Sequence, residues 1–134
     1  MAVINRSTEE VVEVEVYIEA SAETVFSFFA EPDRMMRWMG SRVDLDATPG
    51  GRYRVAIREG VTAIGSYVEV TPPHKVSFTW GWEGSDSVPP GASTVEVELS
   101  PSGQGTLVRL RHFDLPREEH EMHLGGWQHY MSRL

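Results

Sequence analysis

Hydrophobic and polar residues alternate along the first long segment of the chain, from Val11 to Ala20. The apolar members of this alternation are Val12, Val14, Val16 and Ile18, and the residues between them are Glu13, Glu15, Tyr17 and Glu19. A period of two predicts a β-strand with one buried face and one solvated face. Ser21 is typical of a helix N-cap, and the apolar residues after it predict a helix that ends near Pro32. A second short helix is predicted from Pro32 to Gly40.

The period of two returns after Ser41 and continues to Phe113. The predicted strands are Arg42–Asp46, Arg52–Arg58, Val61–Val70, Val76–Trp82, Val95–Leu99 and Thr106–Phe113. Turn residues, mainly glycine and proline, separate these segments, which is typical of a meander of antiparallel strands. The longest polar connection, Glu83–Ala92, is the predicted mobile loop.

The last stretch of the chain, Leu115–Leu134, has the period of an amphipathic helix. One face of this helix carries His120, His123, Leu124, Trp127, Tyr130, Met131 and Leu134, and the opposite face carries Glu118, Met122, His129 and Arg133. We therefore expect the aromatic face to be buried. Two adjacent glycines, Gly125 and Gly126, cost roughly 1 kcal/mol each relative to alanine inside a helix. Either the sheet backbone approaches closely there, or the helix breaks and its last turns move as a lid.

The predicted elements follow one another as one strand, two helices, roughly six strands and one long helix. An antiparallel sheet with so apolar a face needs a cover, and only the C-terminal helix is long enough to provide it. The pattern predicts an α+β fold in which this helix lies across a curved sheet. Because 134 residues is a usual size for one domain, we expect a single domain spanning residues 1–134.

The composition excludes several classes of function. The 20 acidic residues outnumber the 12 basic ones and give a net charge of -8, which opposes binding to nucleic acid or to an anionic membrane. The chain has no cysteine, so disulfides, thiolate metal sites and thiol nucleophiles are excluded. No apolar run has the length of a membrane span, and the N-terminal residues lack the apolar core of a signal peptide. We therefore expect a cytoplasmic protein.

Short motifs in a fixed order connect the chain with a known superfamily. They are Ile18-Glu19-Ala20-Ser21 with Val25-Phe26, Glu31-Pro32-Asp33 with Trp38, Pro49-Gly50-Gly51 with Tyr53, Gly65, Glu69-Val70 with Pro72-Pro73, Phe78-Thr79-Trp80, Gly105-Thr106, His112 and Gly126-Trp127. In order and spacing they resemble the helix-grip, or START-like (SRPBCC-type), superfamily. Within it, the chain most resembles the family named for homology to the activator of the heat-shock protein 90 ATPase.

The resemblance implies a fold in which about six to seven antiparallel strands curve around a long C-terminal helix. It also implies two short helices between strands 1 and 2, and an apolar cavity between the sheet and the long helix. The superfamily includes lipid carriers, plant hormone receptors, polyketide aromatases and cyclases, and a co-chaperone domain. The resemblance therefore implies the fold more strongly than the chemistry.

Aromatic residues are dense for a chain of this length. Taken singly, each ring is expected to fill the core. Together they suggest a wall for a flat apolar ligand, because a sheet that curves around one helix leaves a wedge open at one end. The candidate ligand-binding residues are Trp38, Tyr53, Phe78, Trp80, His112, His123 and Trp127, with Trp80 and Trp127 as the wall.

Three histidines, His112, His120 and His123, are predicted to face inward. A metal site would need a convergent further ligand, and no carboxylate is placed to complete one, so we predict neither a metal nor another cofactor. We interpret the imidazoles as hydrogen-bonding groups at the cavity mouth.

The sequence leaves three functions open. The first is binding of a small hydrophobic or aromatic molecule. The second is an enzyme that resembles polyketide cyclases and uses His112 or His123 as acid or base. The third is an interaction protein, similar to the heat-shock ATPase activator, whose acidic surface docks on a basic partner. The end of the last helix also leaves room for a homodimer contact.

Overall fold

The computed structural model describes the backbone of residues 3–7 and the complete residues 11–134. Residues 1–2 and 8–10 lie outside the described residues. They belong to the N-terminal segment in which the sequence shows no apolar core of a signal peptide. The strands are β1 (Val3–Ser7), β2 (Val11–Ile18), β3 (Arg42–Leu45), β4 (Arg52–Arg58), β5 (Val61–Thr71), β6 (Lys75–Trp80), β7 (Ser93–Ser102) and β8 (Gly105–Phe113). The helices are α1 (Ala22–Ala30), α2 (Pro32–Met35) and α3 (His120–Met131).

The described strands form one antiparallel sheet in the order β1-β2-β8-β7-β6-β5-β4-β3. The helix-grip fold is confirmed, since two short helices lie between β2 and β3 and one longer helix follows the curved sheet. The sheet has one strand more than the sequence indicates. The additional strand is β1, which pairs with β2 so that Val3 lies opposite Val16.

The two faces of the sheet differ as the alternation predicts. Val12, Val14 and Val16 of β2 have no solvent exposure. On the opposite face, carboxylates lie beside basic side chains of the neighbouring strands. The ion pairs there are Glu13–Arg111, Glu15–Arg109, Glu96–Arg111, Glu98–Arg111 and Glu96–Lys75. Strand β2 therefore has the buried face and the polar face that its alternation predicts.

The two helices between β2 and β3 pack against each other, and α1 also contacts β7 and β8. Ser21 caps α1, because its Oγ accepts a hydrogen bond of 3.2 Å from the Thr24 amide. The second helix is shorter than predicted and ends at Met35, after which tighter turns continue toward Gly40. Gly40 has a φ of 94°, which an L-residue rarely adopts.

The C-terminal helix α3 lies over the inner face of the sheet. A short 3-10 turn, Arg117–Glu119, precedes it, so the α-helix begins later than predicted. Its buried residues are His120, His123, Trp127 and Met131, all on the predicted inner face. Met122, on the predicted outer face, is 58% exposed.

The adjacent glycines Gly125 and Gly126 neither break the helix nor meet the sheet. Helix α3 runs through both positions without interruption. Apart from the adjacent residues and the backbone of the helix itself, a Cβ atom added at either glycine would have no neighbouring atom within 4 Å. Both predicted explanations for the pair are therefore wrong.

Candidate functional site

A cavity of about 470 Å³ lies between α3, the β4–β5 hairpin and the end of β6. Its apolar lining consists mainly of Trp80, Trp82, Trp127, Met39, Ile57, Val61, Met122 and Tyr130. Polar groups also line it, among them Arg58, Glu83 and Glu119. Because Arg58, Glu83 and Met122 are exposed, the cavity opens to solvent on that side.

Three indole rings form a continuous wall of this cavity. Trp80 stands in the middle, with its ring centre 5.2 Å from that of Trp82 and 5.0 Å from that of Trp127. The rings of Trp80 and Trp82 meet nearly at right angles, at 83°. Such tilted and edge-to-face contacts are the favoured packing of aromatic rings. The wall is thus built from three different parts of the chain: the end of β6, the loop after it, and α3.

A buried histidine holds Trp127 from behind. The indole Nε1–H of Trp127 donates to His112 Nδ1 over 3.0 Å, so this ring nitrogen is an acceptor. Ser93 Oγ donates its own hydrogen to the Trp80 carbonyl at 2.7 Å and lies 2.8 Å from His112 Nε2. His112 therefore carries its proton on Nε2 and donates it to Ser93. The hydrogen-bond network assigns a neutral imidazole to this site.

A second histidine holds Trp82 in the same manner. The indole Nε1–H of Trp82 donates to His123 Nε2 over 2.9 Å. The other ring nitrogen, Nδ1, lies 2.8 Å from the Glu119 carbonyl oxygen and must donate to it. His123 is thus the opposite neutral tautomer to His112. Its Nδ1 also lies 3.9 Å from the Glu119 carboxylate.

The electrostatic surroundings agree with two neutral imidazoles. Burial lowers the pKa of His112 well below its ordinary value of 6.5, and His123 and His120 lower it further. Burial also lowers the pKa of His123, although the backbone and carboxylate of Glu119 oppose this shift. The rings of His112 and His123 are perpendicular, with centres 5.3 Å apart. Placing a positive charge on either ring would therefore be costly.

The arrangement offers little for metal binding or proton transfer. Within residues 11–134, no three side chains of histidine, aspartate or glutamate converge as metal ligands. All four ring nitrogens of His112 and His123 already have partners in the protein. A substrate could receive a proton from either histidine only if one of these bonds broke.

Of the seven candidate ligand-binding residues, Trp80, His123 and Trp127 lie in the cavity lining. His112 lies directly behind Trp127. The other three do not line the cavity and pack in the core, where the rings of Tyr53 and Phe78 lie 5.9 and 6.4 Å from that of Trp80. Tyr53 and Phe78 stack with ring centres 4.1 Å apart, and Trp38 packs against Phe29 at 5.1 Å.

Sequence reasoning left several lining residues out of the candidate set. Trp82 shares the alternation of Trp80, so the signal for it was present in the sequence. Met39 and Ile57 carried no such signal, because they come from separate segments that only the fold brings to one cavity.

The loop after β6 holds Trp82 in the cavity wall. A Cβ on Gly81 would lie 1.8 Å from the Pro89 carbonyl oxygen, so only glycine permits this close approach. The Trp82 amide donates to the Val88 carbonyl over 2.8 Å, and Val88 has no solvent exposure. The connection predicted to be mobile is therefore anchored to the core at its centre.

The curved sheet, the C-terminal helix and the cavity between them define a START-like, or SRPBCC-type, protein. Residues 19–134 match the family described as activator of Hsp90 ATPase homolog 1-like protein, and the chain belongs to this family. No curated protein sequence matches it significantly. No helix among residues 3–7 and 11–134 is long and apolar enough to cross a membrane.

Solved structures show the same fold. An AHSA1-like protein from Rhizobium etli is 41% identical, covers 92% of this chain and 78% of its own, and has a TM-score of 0.71. CalU16 from Micromonospora echinospora is 24% identical over 98% of this chain and 80% of its own, with a TM-score of 0.77. The Aha1 dimer from Colwellia psychrerythraea is 16% identical over 91% of this chain and 90% of its own, with a TM-score of 0.76. The last two similarities concern the fold alone.

Proposed function

We propose that this protein, as one domain spanning residues 1–134, binds a small, flat hydrophobic or aromatic molecule in the cavity between the sheet and α3. The observation that carries the proposal is the wall of three indoles, two of which are fixed by histidines. Rings that are already held in place lose little conformational entropy when a ligand binds, so the wall is preorganised.

The size and chemistry of the cavity support a ligand of this kind. Its volume of about 470 Å³ lies within the range of about 300–1,000 Å³ that is typical of small-molecule sites. Indole faces favour stacking with another flat ring. The charged groups Arg58 and Glu83 lie on the exposed side, so an apolar body fits inside while a polar substituent reaches water.

The hydrogen bonds of the histidines favour binding over catalysis. General acid or base catalysis requires a titratable atom within reach of the substrate. His123 lines the cavity, but its two nitrogens bind Trp82 and Glu119, while those of His112 bind Trp127 and Ser93. In this arrangement the two histidines support the wall rather than act on a substrate.

The outer face of the sheet gives less support to docking on a basic partner. Its glutamates already pair with arginines and a lysine of neighbouring strands. Paired carboxylates present a weaker field to a partner than unpaired ones. A homodimer, the state of the Colwellia protein, and a cytoplasmic location stay predictions for this chain.

Titration with Nile red, a flat uncharged fluorescent dye, tests the proposed function. We expect saturable binding with one dye per protein, and energy transfer from the indoles because three of the four tryptophans line the cavity. Val61→Phe should weaken binding roughly tenfold, because Val61 lines the cavity and the larger ring would take up part of the space for the dye.

Val68→Phe is the matched control, since Val68 is on the same strand, is 54% exposed and does not line the cavity. The control should bind Nile red like the wild type. Absence of dye binding to the wild type, or equal affinities of the two phenylalanine variants, would overturn the proposed function. Native mass spectrometry of the purified protein would then identify any molecule that it retains from the cell.

A further inference from the structure

We infer that Gly126 determines which ligands the cavity accepts, because its missing side chain leaves room on α3 for the edge of a broad, flat ring system. The inference rests on the proposed function and adds to it the shape of the ligand. Glycine at position 126 is unfavourable for the helix itself, because glycine in a helix interior is disfavoured relative to alanine.

The usual structural reasons for a glycine do not apply at this position. Gly126 lies within the continuous helix α3 and is not among the glycines with positive φ, so its backbone would accept L-residues other than proline. A Cβ there would meet no atom within 4 Å other than those of the adjacent residues and the helix's own backbone, so no close approach of another segment demands glycine. What glycine does provide at this position is open space, and that space belongs to the cavity, because Gly126 lines it.

The neighbours of Gly126 on the helix surface show where the space lies. Residues three and four apart share one side of an α-helix. Met122 and His123 precede Gly126 by four and three residues, Tyr130 follows it by four, and all three line the cavity. Gly126 is therefore at the centre of the helical wall, where bare backbone separates larger side chains. A side chain at position 126 would narrow the space between the helix and the indoles. Without one, the edge of a wide, flat ligand can extend over the bare backbone of Gly126.

Gly125 provides a matched comparison within the same helix. It is also interior to α3, and a Cβ there would likewise meet no atom within 4 Å beyond the adjacent residues and the helix's own backbone. It differs from Gly126 in being exposed and in not lining the cavity. Equal substitutions at the two positions change helix propensity equally, and only those at Gly126 place atoms in the cavity.

The experiment compares Gly126→Ala and Gly126→Leu with Gly125→Ala and Gly125→Leu. Each variant is titrated with tetracyclic Nile red and with prodan, a smaller neutral dye built on naphthalene, and its Tm is recorded. We expect both alanine variants to raise the Tm by similar amounts. Gly126→Leu should weaken Nile red binding roughly tenfold and prodan binding much less, with Gly126→Ala intermediate. The Gly125 variants should bind both dyes like the wild type.

The outcomes separate this inference from the proposed function. If the wild type binds the dyes and the Gly126 variants bind them equally well, the inference is wrong and the proposed function stands. An equal loss of affinity at Gly125 and Gly126 would also overturn it, because the effect would then come from the helix rather than from the cavity. If the wild type binds neither dye, both fail. Should a leucine variant not fold, the alanine pair decides, because alanine stabilises the helix.

Discussion

Two histidines support the tryptophans of the cavity wall, and they do so in different surroundings. His112 has no solvent exposure, and its partner Trp127 is only 3% exposed. Trp82, the partner of His123, is half-buried and lies beside the open part of the cavity. If the bond between His112 and Trp127 is lost, the buried His112 acceptor has no partner. If the bond between His123 and Trp82 is lost, water from the cavity can replace the donor. The two pairs are therefore expected to differ in energy, although their bond lengths are nearly equal.

Trp127→Phe tests this difference. The substitution keeps an aromatic ring but removes the indole donor, so His112 Nδ1 loses its partner. We expect the free energy of unfolding to fall by about 1–3 kcal/mol from the unpaired acceptor, in addition to the loss of ring volume. Urea unfolding followed by circular dichroism measures it.

Trp82→Phe provides the comparison, because it removes the same indole group from the bond to His123. Since water from the cavity can reach that site, this variant should lose clearly less stability than Trp127→Phe. Equal losses of unfolding free energy in the two variants would show that the burial of a hydrogen bond does not determine how much it contributes to stability.

At the scale of elements, the loop between β6 and β7 positions one third of the indole wall. Val88 anchors this loop in the core, and the Trp82 amide bonds the Val88 carbonyl. The Val88 amide in turn donates to Ser85 Oγ over 3.0 Å, and Ser85 lines the cavity. A change at Val88 should therefore reach the cavity, although Val88 is not part of its lining.

Val88→Ala is expected to lower the free energy of unfolding by about 2 kcal/mol, because it removes buried methyl groups and leaves a small void. Amide hydrogen exchange in residues 83–92 should accelerate, and Nile red affinity should fall as Trp82 loses its support. Val68→Ala, at an exposed position, is the control for both readouts. If exchange in the loop stays as slow as in the wild type, the loop is not held by Val88.

The elements could be predicted from the sequence because each depends on a local period. The alternation in β2 and the inward position of His112 beside Val108 and Leu110 follow from a period of two. The buried face of α3 likewise follows from the helical period. The cavity lining was harder to predict from the sequence. His123 and Trp82, which contact each other there, are 41 residues apart in the chain, and no local pattern indicates such a contact. The anchoring of the loop by Val88 was missed for the same reason, since a single valine among polar residues has no period.

At the scale of the whole molecule, a group of ion pairs covers the outer face of the sheet, and two neutral histidines lie in the inner layer. Outer carboxylates lie next to arginines of β8, in registers where Glu13 faces Arg111 and Glu15 faces Arg109. Inside, His112 and His123 lie between the sheet and α3, and the Glu119 carboxylate lies 3.9 Å from His123 Nδ1. This division makes the stability of the fold sensitive to acidification at the histidines.

Stability should fall as the pH is lowered through 6.5, the ordinary pKa of a histidine side chain. Above that value His112 and His123 are neutral in both the folded and the unfolded chain and contribute no pH dependence. Below it the unfolded chain takes up protons that the folded protein does not, because burial lowers both pKa values in the folded state. Each imidazole then reduces the free energy of unfolding by at most about 1.4 kcal/mol per pH unit, until the pH reaches its lowered pKa.

Urea unfolding between pH 8 and pH 5, a range above that in which most carboxylates titrate, measures this slope. His123→Gln should reduce the slope, because the amide can still accept from Trp82 and donate to Glu119 but cannot be protonated. His129→Gln, at an exposed position of the same helix, is the control. A stability that rises on acidification, or a His123→Gln slope equal to that of the wild type, would contradict the neutral His123 that the hydrogen bonds assign. Because folded His123 stays neutral until the pH reaches its lowered pKa, Nile red affinity should hold while the stability falls and weaken only below that lowered pKa, where the ring can no longer accept from Trp82.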